Sequence, residues 1–336
     1  MVNFTIAQSE IDSIPTRQLN EFVLKAVKVY DNSPVAHEDI LKEDLDKINH
    51  GVDIPILLDQ ATSVVTTSDA GAGVGYTGIR VRGSDATRVN VTINGIPLND
   101  SESQGTFWVD LPDLSSSTND IQIQRGVGTS SNGAGAFGAS INLSTFNTSN
   151  SSAPYGEIAN SFGSFNTQKN TLKLGTGLID GKWNFEGRLS RVVSDGFVDR
   201  ASADLSSYYL SGSYYGNKST LRAIAFSGHE TTYQAWYGAP IRVLDTNQTY
   251  NPYQYDNEVD DYTQSHYQLH FSHFFNTKFK VNAALHYTRG FGYYEQYKGI
   301  GQNALINYYS QENLADYGLD TIFTSSGDTI AQTDLI

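Results

Sequence analysis

The feature that most constrains this chain is strict two-residue alternation in its C-terminal half. In WNFEGRLSRVV the apolar residues Trp183, Phe185, Leu189 and Val193 occupy odd positions, with Asn184, Glu186, Arg188 and Ser190 between them. FKVNAALHYT repeats the pattern with Phe279, Val281, Ala283, Leu285 and Tyr287, and HYQLHFSHFF with Tyr267, Leu269, Phe271 and Phe275. A period of two sends alternate side chains to opposite faces of a strand. The pattern predicts about seven strands, near 156–165, 168–178, 182–193, 206–216, 218–230, 262–275 and 277–290. Leu221 to Phe226 is less regular. After the first hairpin the links alternate in length: IDGK, GNKS and NTK are short, while SDGFVDRASADL, 231–261 and 291 onward are long. Short turns at one end and long loops at the other match a membrane β-barrel. A soluble sandwich would share the strands without that asymmetry. Tyr208, Tyr209, Tyr214 and Tyr215 are expected at strand ends.

Composition narrows the function classes. The chain has 336 residues, room for one large domain or two ordinary ones, with 21 Tyr, 16 Phe, 30 Gly, one Met and no Cys. The absence of Cys removes thiol catalysis, disulfides and cysteine-bound metals together. A formal net charge of −14 argues against a nucleic-acid partner, which needs clustered Lys and Arg. No apolar run approaches the roughly 18 residues of a spanning helix, but spanning strands leave no such peak. Residues 1–18 are polar and patternless; FTIAQS fits the stub of an export signal or an ordinary flexible start.

The N-terminal half reads differently. Leu19 to Asn49 holds a β-like piece (Phe22, Val23, Leu24, Val27, Val29), a turn at Ser33-Pro34 and a helical segment carrying Ile40, Leu41, Leu45 and Ile48. Residues 54–65 add a short apolar helix or strand. From Ile79 the pattern is β: Val89, Val91 and Ile93 alternate with Asn90, Thr92 and Asn94, Ile121 and Ile123 share a face, and so do Ile141 and Leu143. Residues 20–145 therefore read as a small mixed α/β domain, followed by the Ser/Asn-rich linker STFNTSNSSAPY.

Gly133, Gly135 and Gly138 spell G-x-G-x-x-G, the string of a dinucleotide-binding turn. That chemistry needs a helix after the glycines, with its N-terminus on the pyrophosphate. These glycines lead instead into ASINLST, a strand pattern. GAGVG at 71–75 lacks the Lys-Ser/Thr of a phosphate loop. There is no G-x-S-x-G and no H-E-x-x-H. No enzymatic activity, catalytic residue or cofactor is expected, and the glycines are expected to serve turns and close packing.

IRVRGSDATRVNVTINGIPLND and DIQIQRGVGTSSNGAGAFGASINLST resemble the plug domain of TonB-dependent outer-membrane receptors. The matching residues are Arg82-Gly83, Arg88, the turn Asn94-Gly95-Ile96-Pro97, the Ile121–Gly126 element with Arg125, and Gly135 to Leu143 with Gly138 and Asn142, Gly133 just before it. Leu19–Val29 resembles the TonB box, and Gly156–Thr171 the first barrel hairpin. Two positions depart from the family pattern, Asn94 for Asp and Gln122 for Glu, so any charge pairing made by those acids is in question.

The resemblance implies a mixed α/β plug domain followed by antiparallel transmembrane β-barrel strands, about seven of an expected 22. Open strand edges are costly in hydrocarbon, so the chain reads as part of a larger receptor. The implied divisions are a flexible segment 1–18, a TonB-box-like segment 19–30, a plug 31–146, a linker 147–154 and barrel 155–336. The implied function is TonB-dependent import across a bacterial outer membrane, of a ferric siderophore or similar iron chelate. Cobalamin, an oligosaccharide or a non-transport surface role are the alternatives. Implied partners are TonB with its inner-membrane energising complex, outer-membrane lipid and a small-molecule substrate.

The implied TonB contact is Glu21, Phe22, Val23, Leu24, Lys25, Ala26 and Val27, an extended stretch suited to strand addition. Candidate substrate contacts are Ser84, Asp85, Asn99, Asp100, Phe107 and Trp108, and Tyr233, Trp236 and Tyr237, whose rings could stack on a ligand or on neighbouring loops. Asp256, Glu258, Asp260 and Asp261 are candidate Ca²⁺ ligands, with a solvated loop as the alternative. His270 and His273, three apart on a strand, face opposite ways and cannot share an ion.

Overall fold

The computed structural model describes residues 28–29, 34–127, 132–133, 135–146, 153–276, 278–296, 321–323 and 329–331. Glu21 to Val27 lie outside the described residues.

The N-terminal domain is built on a five-stranded sheet of β1 (His37–Leu41), β4 (Val89–Ile93), β5 (Ile96–Pro97), β6 (Asp120–Arg125) and β7 (Ala139–Ser144), in the order β1-β6-β7-β4-β5. β4 and β7 run parallel, and the other neighbours are antiparallel. β2 (Val64–Ser68) and β3 (Thr77–Val81) form a separate pair. Asn94 and Gly95 have φ of 56° and 79°, consecutive left-handed residues that close the β4–β5 hairpin with the twist such turns require. Pro97, which cannot donate to a ladder, sits on the edge strand.

Two short helices, α1 (Lys42–Ile48) and α2 (Ile54–Leu57), cover the sheet. α1 carries Glu43 and Asp44 in its first turn and Lys47 in its last, as its dipole favours. Ile40 and Leu41, expected on that helix, belong to β1 instead, where they register with Ile121 and Asp120. The core gathers Leu45, Ile54, Leu58, Val81, Val91, Ile93, Ile121, Ile123, Ile141 and Leu143.

The alternation of β4 suggested one wet face. Both of its faces are buried, Asn90, Thr92 and Asn94 included. Gly133 and Gly135 lie against Asn90, and Thr92 bonds to Asn142 within the domain, while a second layer reaches Asn94 through Gln268.

That layer is a seven-stranded antiparallel sheet of β8 (Tyr155–Phe162), β9 (Gln168–Gly175), β10 (Trp183–Ser194), β11 (Ala203–Tyr215), β12 (Ser219–Tyr233), β13 (Val259–Phe274) and β14 (Lys280–Tyr294), in sequential order. Each of the seven expected strands is present. β12 and β13 reach further toward the long-loop end than their alternation indicated, because their last residues stay in register from Tyr233–Val259 inward. The links 216–218 and 275–279 are short, and 195–202 and 234–258 are longer.

Polarity is inverted in this sheet. Its outer face exposes Ile158, Leu174, Leu189, Leu210, Leu285, Tyr287 and Phe291. Its inner face buries Lys169, Thr171, Arg188, Ser190, Arg222, Glu230 and Gln268. A contiguous apolar exterior marks a membrane surface, where closed strand pairing satisfies the backbone. No helix among the described residues is long and apolar enough to cross a membrane, which says nothing about strands. Trp183 and Tyr214 pack 4.7 Å apart at the short-turn end. Tyr208 and Tyr209 lie mid-strand rather than at an end, and the Tyr209 hydroxyl points inward and donates to Thr145 Oγ1 at 2.9 Å. β15 (Thr321–Phe323) and β16 (Thr329–Ala331) pair separately.

The N-terminal domain touches the inner face of β12 at Gly228, where a Cβ would collide with the Asp110 carbonyl and the Pro112 ring. Only a residue without a side chain lets the two layers meet there.

Candidate functional site

Two clusters of charge lie on the seam between the N-terminal domain and the seven-stranded sheet. The first is built around Asp113, at the start of a 3-10 turn (Leu114–Ser117). Lys169 Nζ of β9 lies 2.7 Å from Asp113 Oδ1, and Arg188 Nη1 of β10 lies 3.2 Å from Oδ2. Ser190 Oγ and Thr171 Oγ1 donate to Oδ2 at 2.6 and 2.7 Å, and Ser116 Oγ donates to Oδ1 at 2.6 Å. Burial alone would raise this acid, but the Arg188 and Lys169 charges prevail and hold it well below the usual carboxylate range. The arrangement ties the domain to the sheet.

The second cluster lines a cavity of about 640 Å³ at the long-loop end. Strand register assembles one wall: Glu230 of β12 stands opposite Tyr262 of β13, and Asp260 of β13 opposite Tyr294 of β14. The facing wall comes from Asp69, Tyr76, Asp100, Glu102, Phe107 and Asp110. The glycine loop 71–75 delivers Tyr76, with Gly71, Gly73 and Gly75 all at left-handed φ. The Tyr76 hydroxyl is shared between Glu230 Oε1, at 3.4 Å, and Asp260 Oδ2. Burial first, then the Glu230 and Asp260 charges, push this phenol up, so it stays a donor. Gln264 Nε2 donates to Asp110 Oδ2 at 3.1 Å. Burial and the neighbouring Asp260 push the Asp110 carboxyl up to about 7, and burial lifts Asp69 to about 6. Trp236 closes the side of the cavity, edge-on to Tyr76 at 5.3 Å and to Tyr294 at 5.9 Å.

Of the residues singled out in the sequence, the structure brings Asp100, Phe107, Trp236 and Asp260 to this cavity. The others do different work. Asn99 pins its loop to β4, accepting from Val91 N at 2.7 Å and donating to Val89 O at 2.9 Å. Trp108 is buried in the domain core. Ser84 and Asp85 lie at the β3–β4 turn, where Asp85 caps Thr87 N at 3.0 Å and pairs with Arg88 at 3.2 Å. Tyr233 donates to the Tyr255 carbonyl at 2.7 Å, and Tyr237 stacks on Tyr253 at 5.3 Å, loop on loop.

The acidic run does not converge. Asp256 is exposed, Glu258 caps Gln254 N at 2.7 Å, Asp260 meets Tyr76, and Asp261 accepts from Thr231 Oγ1 at 2.9 Å. Among the described residues no group of three or more acids or histidines is placed to hold a metal ion.

Tyr76, Asp110, Glu230, Tyr262 and Gln264 were missed by sequence reasoning. The available signal was an acid on the inward parity of a strand (Glu230) and one inside the apolar run WVDLP (Asp110).

The motif residues form one connected scaffold. Gly126 N donates to Gly138 O at 2.7 Å, and Gly138 N to Arg88 O at 2.8 Å. Gly138 lies hard against the Ser84 side chain, and Gly135 faces Asn90, so a larger residue at 138 would force a shift. Arg125 pairs with Glu38 at 3.0 Å, Gly126 packs on Arg82, and Asn142 Oδ1 accepts from Thr92 Oγ1 at 2.8 Å. Arg82-Gly83 makes the left-handed turn after β3, and Gly133 is left-handed too.

The two departures from the acidic pattern use what an amide has and a carboxylate lacks. Asn94 accepts from Thr145 N at 2.9 Å while its Nδ2 donates to Thr145 Oγ1 at 2.9 Å and to Gln268 Oε1 of β13 at 3.1 Å. Gln122 holds the Val29 backbone from both sides, accepting from its N–H at 2.9 Å and donating to its carbonyl at 3.0 Å, with Asp39 also in reach at 2.9 Å.

Residues 31–140 match the family model described as TonB-dependent Receptor Plug Domain. The chain carries a TonB-dependent receptor plug. Solved structures share the fold of plug and strands together. The ferric yersiniabactin uptake receptor FyuA from Yersinia pestis aligns at TM-score 0.60 and 15% identity, over 79% of this chain and 42% of its own. The ferric citrate transporter FecA aligns at 0.62 and 18%, over 78% and 41%. The copper transporter OprC aligns at 0.58 and 12%, over 75% and 37%. The chain thus spans about two-fifths of the length of these receptors. No curated protein sequence matches it. The five-stranded mixed sheet is the plug's framework, and the seven strands are arranged as in the barrel wall of such receptors.

Proposed function

We propose that this protein takes part in TonB-dependent import of a scarce small-molecule nutrient across a bacterial outer membrane, an iron chelate being the first candidate. The observation that carries the reading is the inverted sheet, apolar outside and polar inside, wrapped on a plug domain. In a closed wall of this kind the plug would block the path of water and solute, so transport would require the plug to shift. Two of the three aligned receptors are named for ferric chelates, and this supports iron over the alternatives.

Substrate would enter from the long-loop end into the cavity between Tyr76, Asp110, Glu230 and Trp236. TonB would pair with Glu21 to Val27 as an added strand and pull on the chain at Lys28 and Val29. Lys28 is ion-paired to Asp120, and Val29 is held by Gln122, so a pull there acts directly on β6 in the plug sheet. The test is deletion of residues 20–28 followed by uptake and binding assays in cells. Uptake is expected to vanish while substrate binding remains; retained uptake would overturn the assignment.

A further inference from the structure

The seam cavity has a chemistry of its own. Six carboxylates and six aromatic rings line it, and among the described lining residues there is no Lys, Arg or His. Unlike Asp113, these acids have no cation paired with them among the described residues. Asp110 is 4% exposed. Among the described residues its carboxylate, which lines the cavity, receives one side-chain hydrogen bond, from Gln264 to Oδ2. The Trp236 indole N–H is buried with no acceptor among the described residues. Buried polar atoms are normally satisfied, and a buried carboxylate beside others is normally paired. Asp110 and Trp236 line the same cavity.

Charge and shape together select the occupant. A carboxylate-rich ligand would bring negative charge against Asp110, Glu230 and Asp260, a repulsion that selects against it. A bare metal ion needs several converging oxygens, and the acids here do not converge. A neutral sugar would leave the charge uncompensated. An ammonium or guanidinium group would donate to Asp110 Oδ1 and Glu230 while lying over the faces of Tyr76, Trp236 or Tyr262, where cation–π attraction adds to the ion pair. The cavity's volume falls in the range of small-molecule sites.

We infer that the cavity takes the positively charged end of the imported molecule, an amine- or guanidine-bearing chelate in preference to a carboxylate-bearing one. This deepens and rests on the import reading. Asp110 and Glu230 are the specificity-determining residues, and Trp236 reports occupancy.

The test uses three ferric trihydroxamates of one backbone whose terminus is a free primary amine, its acetamide or its succinamate. Binding is read by Trp236 fluorescence quenching in membrane preparations of cells carrying the protein, with Trp236→Phe as the control for signal origin. The amine form is expected to bind at least ten-fold more tightly than the acetamide, and the succinamate most weakly. Asp110→Asn and Glu230→Gln, both near-isosteric, are each expected to shrink the amine-to-acetamide ratio at least three-fold. Raising salt from 20 to 500 mM should weaken the amine form alone. Equal binding of all three, a ratio indifferent to both variants, or no binding of any form overturns the inference. Energised uptake that ignores the terminal group would leave import standing and sink the charge preference. Charge-graded binding with no uptake dependence on residues 20–28 would do the reverse.

Discussion

Asp110 and Asp113 stand three residues apart in one stretch of the plug, and both are buried against the barrel wall. Their surroundings are opposite. Asp113 meets Lys169, Arg188 and three hydroxyls, and these charges hold it ionised. Asp110 meets Gln264, with Glu230 and Asp260 beyond it, and burial raises it to about 7. The seam therefore has a region whose electrostatics are completed by the protein and one whose electrostatics are left for something else to complete. The first holds the plug; the second opens on the cavity.

The largest effect should come from breaking the completed region. Asp113→Asn leaves Lys169 and Arg188 buried without their counter-charge, and thermal unfolding in detergent should register a loss of about 3–5 kcal/mol. A loss under about 1 kcal/mol would mean the cluster is wet and the contrast with Asp110 overstated. Next is the buried Asn94 amide, which ties the end of β4 to β13. Asn94→Asp removes the donor to Thr145 and Gln268 and sets a carboxylate against the Gln268 oxygen. The same measurement should show a loss of about 1–3 kcal/mol at neutral pH, shrinking on acidification as the new acid is protonated.

Asp110 sharpens the comparison through pH. Its folded value of about 7 lies above the unfolded value near 3.9, so between those values the folded protein holds more protons than the unfolded one. Asp110 therefore costs nothing below about pH 4, and stability falls as pH rises toward 7, by up to about 1.4 kcal/mol per pH unit. The groups facing Asp110 across the cavity are Tyr76, Glu230 and Asp260, and the Asp260 charge acts in the same direction as burial. Asp110→Asn should flatten the profile, whereas an unchanged slope would place the titration elsewhere. The smallest effect concerns the plug's edge. Gln122→Glu keeps an acceptor for Val29 N–H but loses the donor to Val29 O and Asp39. It should cost about 0.5–1.5 kcal/mol and accelerate amide exchange at Val29; unchanged exchange would show that the clamp is idle.

Much of the architecture was legible because a period of two survives in any environment. Trp183, Phe185 and Leu189 alternate with Arg188 and Ser190 whether the outside is water or lipid, and the loop lengths decided between them. The plug strands were legible for the same reason, but the fate of their polar faces was not. Asn90 and Thr92 look like solvent positions in sequence, and their burial against Gly133, Gly135 and Asn142 leaves no trace in local pattern. The boundary of α1 was misplaced because Ile40 and Leu41 suit a strand or a helix equally, and pairing with β6 settles which. The cavity was only half visible. Asp100, Phe107 and Trp236 sit in polar aromatic loops that advertise themselves. Glu230 and Asp110 are single acids in β-like or apolar runs, and only strand register brings them to one place.

Gly228 governs how the two domains find one another. The wall presents side chains along the whole inner face of β12 except at this residue, and the Asp110–Pro112 turn rests in the gap. A missing methyl group thus works as an alignment mark. It sets the height at which the plug comes to rest, and with it whether Asp113 reaches its two cations on β9 and β10 while Asp110 faces β12 and β13. A single added carbon at 228 would lift both acids together, so the register of lock and cavity is written in one hydrogen atom.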